Sequence, residues 1–90
     1  MQTWTIWTLD VWGNARDGYN VNDRCKSGKI ELPDDADDRA VVKALKADGW
    51  IKAGIHFSSI EIDGDDYGMH VSQARDNRPI YQLERDGEAS

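Results

Sequence analysis

The side chains able to act as nucleophile, base or metal ligand are few in this 90-residue chain: Cys25, His56, His70 and a large set of carboxylates. His56 alternates with Ile55 and Phe57, and His70 with Met69 and Val71, so both are expected to point away from the core on neighbouring strands. A turn at residues 63–66 pairing those strands would set the two imidazoles near each other. Two histidines without a third ligand or a poised carboxylate do not make a zinc site. No nucleophile elbow, phosphate-cradling glycine loop or His-Glu-x-x-His motif occurs. The sequence assigns no catalytic residue, no metal and no cofactor, and the expectation is a protein that is not an enzyme.

The carboxylates are distributed unevenly, with thirteen Asp against four Glu. Aspartate favours turns, caps and strand ends, where its short side chain accepts hydrogen bonds from nearby backbone N–H groups. Asp63, Asp65 and Asp66 with Glu61 offer oxygen ligands for a hard cation, but the calcium-loop template fails. Counted from Asp63, it requires Asn or Asp where Tyr67 stands and a bidentate Glu where Ala74 stands. That tract reads as a hairpin turn. Asp34, Asp35, Asp37 and Asp38 form the second tract. Two of these suffice to start a helix, which leaves Asp34 and Asp35, like Asp65 and Asp66, free to face a basic partner.

The elements that position these groups follow from pattern. Residues 3–12, rich in Thr, Ile, Val and Trp, form a strand, although Trp4 and Ile6 share one parity while Trp7, Leu9 and Val11 share the other. Either a bulge lies between Ile6 and Trp7, or the strand is apolar on both faces as a central strand would be. Residues 13–23, with two glycines and five Asn or Asp, read as a wide loop before a second strand at 24–32 that Pro33 stops. Gly28 suggests a bulge within it. A helix follows, with Asp37 as N-cap, Asp38 in the first turn, a stripe of Val41, Val42, Ala44 and Leu45, and Gly49 as the left-handed stop that brings Trp50 onto Leu45. Residues 51–62 read as a strand with an irregularity at Ser58-Ser59. A half-buried strand through Tyr67, Met69 and Val71 comes next, then a last strand at 80–85 with Tyr81 and Leu83 on one face. Residues 86–90 read as a frayed tail. The expected fold is a single α+β domain over residues 1–90, order ββαβββ, an antiparallel sheet with one helix on one face.

Net charge is −6, from 17 acidic and 11 basic residues. Duplex nucleic acid and anionic membrane are therefore poor partners, since phosphate binding needs a basic footprint. No apolar run approaches the ~20 residues that span a bilayer, and the first residues lack a secretory pattern. A lone cysteine forms no intrachain disulfide. These point to a cytoplasmic location.

Four tryptophans exceed what so small a core needs. Trp7 and Trp50 have core positions available, whereas Trp4 and Trp12 share the opposite parity, which leaves one or both on the helix-free face. Exposed aromatics are enriched in protein–protein hot spots.

The strings Leu9-Asp10-Val11-Trp12-Gly13-Asn14, Asp17-Gly18-Tyr19, Val21-Asn22-Asp23 and Arg78-Pro79-Ile80-Tyr81-Gln82-Leu83 resemble those of small acidic bacteriophage and prophage proteins. That class includes anti-CRISPR and anti-restriction proteins. The resemblance implies a phage-encoded inhibitor that occludes a host defence or nucleic-acid-processing protein with a basic surface. The expected contact residues are Asp34, Asp35, Asp63, Asp65, Asp66, Trp4 and Trp12. The alternative is a small structural or regulatory domain acting as a homo-oligomer, through an open sheet edge or a face bearing Trp4 and Trp12.

Overall fold

Helix α1 (Asp38–Ala47) is the element most fully specified by its own residues. The Asp37 carboxylate accepts a hydrogen bond from the Ala40 N–H at 2.8 Å, and Asp38 places negative charge in the first turn. At the other end Gly49 takes φ +85°, a left-handed conformation that glycine adopts without penalty. The Trp50 N–H then reaches the Leu45 carbonyl at 2.8 Å and the Gly49 N–H reaches Lys46 at 3.1 Å, the paired bonds of a Schellman stop. Val41, Val42 and Leu45 are buried on one side of the helix. Both expected caps are present.

The computed structural model describes residues 1–64, 68–73 and 78–86. Five strands form one antiparallel sheet: β1 (Gln2–Asn14), β2 (Gly18–Leu32), β3 (Ile60–Gly64), β4 (Gly68–Gln73) and β5 (Arg78–Arg85), in the order β2-β1-β5-β4-β3. The expected α+β class and element order ββαβββ hold. β5 lies at the centre and β2 and β3 at the two edges. The chain leaves one edge after β2, passes through α1, and re-enters at the other edge as β3. The helix packs against both edge strands and so spans one face of the sheet. Beneath it lie Trp4, Ile6, Ile30, Leu32, Val71 and Leu83, all buried.

Strand parity follows the second expectation, a β1 apolar on both faces, and adds a bulge on its neighbour. The β1–β2 register slips between Ile6 and Trp7, but the additional residue is Ser27 on β2, because Ile6 pairs with Gly28 and Trp7 with Lys26. β1 itself keeps strict alternation against β5 from Trp4 to Thr8. Trp4 and Ile6 therefore face the helix, while Thr5, Trp7 and Leu9 face the other way. β1 is apolar on both faces, and the bulge belongs to its neighbour.

Gly28, next to that bulge, is required by packing. A Cβ there would stand 2.6 Å from Cζ2 of Trp50. The Trp50 indole is held over this gap by a hydrogen bond from Nε1 to Asp48 at 2.9 Å and an edge-to-face contact with Tyr81 at 5.9 Å.

Three boundaries differ from expectation. Residues 15–17 alone form the turn of the first hairpin, and β2 begins at Gly18, because the length of β1 offers a ladder to the Asn-rich segment that would otherwise loop. Residues 51–56 are not a strand. The Ile51 N–H is taken by the Leu45 carbonyl, the Trp50 carbonyl by the Tyr81 hydroxyl and the Ile55 carbonyl by Lys46, so this segment is tied to the helix end; a 3₁₀ turn at Phe57–Ser59 then leads into β3. Asp86 does not fray: its N–H donates to the Thr3 carbonyl at 2.8 Å.

Candidate functional site

The acidic residues ahead of α1 and the end of β3 meet at one end of the molecule. A cleft of about 330 Å³ opens there, with Trp4, Leu32, Val41, Ile62 and Met69 along its walls. Asp34 and Asp38 stand at its mouth, and Gly64, the last residue of β3, closes the opposite side. The crossover explains the convergence: Pro33 ends β2 beside the start of α1, and the helix axis points the acidic N-terminus back toward the end of the sheet where β3 turns into β4. Asp34 lies 3.3 Å from the Met1 amino group yet keeps 69% of its side-chain surface exposed. Arg85 adds one cation to the cleft, with its Nε donating to Gln2 at 3.2 Å.

The candidate residues separate when placed on this frame. Asp34 and Asp35 are exposed in the turn before the helix. Asp63 is exposed and lies within β3 opposite His70, so it and Gly64 are strand residues and not part of the expected turn. Asp65 and Asp66 lie outside the described residues. Trp4 is only 6% exposed and belongs to the core beneath the helix, so it is no exposed contact residue and reaches the surface only where it lines the cleft. Trp12 is 62% exposed. It stands on the outer part of the β1–β2 hairpin, which projects past the last β1–β5 pair at Thr8 and Tyr81. Trp4 and Trp12 thus form no common face; sharing a parity on β1, they differ because the helix covers only the inner half of the strand.

The helix-free face carries the residues that sequence pattern did not single out. The Arg24 guanidinium lies 3.8 Å from the Trp7 ring centroid, donates to Gln82 at 3.1 Å and pairs with Glu84 at 3.6 Å. Next to it, Asp86 accepts a hydrogen bond from the Thr5 hydroxyl and pairs with Lys29 at 3.0 Å. The Thr5 hydrogen bond, reinforced by Lys29, lowers the Asp86 pKa below its ordinary value. Trp7 Nε1 is buried with no hydrogen-bond partner among the described residues. The signal available in sequence was the parity of Trp7, Leu9 and Val11; the arginine that covers Trp7 depends on a register that only pairing sets.

The two histidines do not meet. His70 pairs with Asp63 and Gln82 in the sheet, whereas His56 precedes the 3₁₀ turn and lies in no strand. Cys25 is exposed on β2 opposite Thr8. Among the described residues no three His, Cys, Asp or Glu side chains gather as metal ligands, and no helix is long and apolar enough to cross a membrane. No protein-family model, curated protein or solved structure matches the chain.

Proposed function

We propose that the chain is a protein-binding module whose contact surface is the acidic cleft at the N-terminal end of α1. One observation carries this reading: residues far apart in sequence, Asp34 and Asp38 from the start of the helix and Ile62, Gly64 and Met69 from β3 and β4, line a single opening whose accessible surface is more polar than apolar. A mostly polar opening that carries Asp34 and Asp38 suits a basic side chain presented by a partner's surface. The carboxylates steer the encounter; the cleft supplies the buried contact. In a phage, as the sequence resemblance implies, such a module acts by occupying a host protein's basic surface. Support for the inhibitor role rests on that resemblance and on net charge.

The test is capture of a partner from bacterial lysate at low and high salt, followed by binding kinetics on what is recovered. Asp34→Asn with Asp35→Asn is expected to slow association with little change in folding, and the deficit should shrink as salt screens the field. Unchanged association at low salt would overturn the acidic surface as the contact.

A further inference from the structure

The second face of the sheet supports an inference beyond that reading. A single cross-strand row traverses all five strands there: Lys26 on β2, Trp7 on β1, Gln82 on β5, His70 on β4 and Asp63 on β3, each paired with the next in the register. The row runs from cation to carboxylate, with an aromatic ring and an imidazole flanking a central amide. Two residues further along, Glu61 extends the acidic edge on β3, whereas Arg24 on β2 folds inward over Trp7 toward Glu84. One edge of this face is basic and the other acidic. No ion pair among the described residues engages Lys26, Glu61 or Asp63, and all three are exposed. The centre is close to neutral, because Glu84 matches Arg24 and Asp86 matches Lys29.

We propose that this face packs against the same face of a second copy, about a two-fold axis running along β5. Such an axis exchanges the two edges. It lays Lys26 over the partner copy's acidic edge at Asp63, the Arg24-covered Trp7 over the position of His70, and Gln82 and the Arg24-paired Glu84 over their own counterparts. Packed sheets stand ~10 Å apart, a gap that a lysine and an aspartate side chain together span. The alternative two-fold, perpendicular to the strands, stacks Lys26 on Lys26 and Asp63 on Asp63 and is repelled. The charge order therefore selects both the partner, a second copy, and the axis. The interface is isologous and closes at two chains. It leaves α1 and its acidic cleft outward on both sides.

Sedimentation at high micromolar concentration and low salt should give a mass twice the 10.2 kDa chain. Lys26→Glu and Asp63→Lys, each checked for an unaltered melting curve, should each raise the dimer dissociation constant about tenfold or more, because both set like charges together twice per interface. An equimolar mixture of the two variants should regain the dimer, since every facing pair is then of opposite sign. A wild-type monomer under these conditions would overturn the proposal. So would variants that dimerise as tightly as wild type, or a mixture that stays monomeric. Growth beyond two chains would also overturn it, since joining the basic edge of one copy to the acidic edge of the next gives an open chain.

Discussion

The two faces of β1 are covered by different means. On the helix side, Trp4 and Ile6 lie under α1, among aliphatic side chains that exclude water by close packing. On the opposite side, Thr5 and Leu9 are equally buried, at 4% and 8% exposure, with no helix or second sheet among the described residues above them. Long polar side chains do this work there. The Arg24 guanidinium lies over the Trp7 ring at 3.8 Å, while Asp86, paired with Lys29, accepts from Thr5. Arginine and lysine cover apolar surface with their stems while their charged ends remain in water. The difference teaches that burial of a residue does not identify a core. One face is sealed by close apolar packing, the other by a lattice of polar side chains.

Substitutions should therefore cost more on the helix face. Leu83→Ala and Gln82→Ala, adjacent on β5 and on opposite faces, give the sharpest contrast. Leu83 is fully buried, and its truncation should cost about 2–5 kcal/mol in urea unfolding, against less than about 1 kcal/mol for Gln82. Equal losses would erase the distinction. Gly28→Ala should cost about 1–3 kcal/mol, because its Cβ meets a Trp50 ring that is held on two sides. Loss of the helix cap in Asp37→Ala should cost about 1 kcal/mol, measured in the same way. On the open face, Arg24→Ala should cost about 0.5–1 kcal/mol, the range of an exposed cation–ring contact, and should shift Trp7 fluorescence.

The smallest effect is in the pH dependence. Asp86 has a folded-state pKa below its unfolded value, so its contribution is present above the unfolded pKa and is lost as pH falls through the folded one. Acid unfolding of Thr5→Val, which removes the hydroxyl that does most to hold that carboxylate's pKa down, should show a shallower loss across the acidic carboxylate range. An unchanged acid limb would mean that the Thr5 hydrogen bond does not set the Asp86 titration.

Local chemistry determined the helix. Asp37, Asp38, the Val41–Val42–Leu45 stripe and Gly49 act within a few residues of themselves, so the start, buried side and stop of α1 are readable from sequence. The class and element order followed in the same way from strand-forming runs around that helix. Tertiary structure decided the rest, because pairing is a property of two strands at once. Gly28 marked a bulge in β2, but not that Ser27 is the additional residue, and its insertion fixes which side chain covers Trp7. Trp4 and Trp12 share a parity, but where the helix ends its cover put one in the core and the other in solvent. The segment after Trp50 has the composition of a strand, and helix-end hydrogen bonds claimed its backbone first. The cleft likewise has no sequence signature: it exists because the crossover carries the chain from one edge of the sheet to the other, and so returns the acidic helix start to the end of β3.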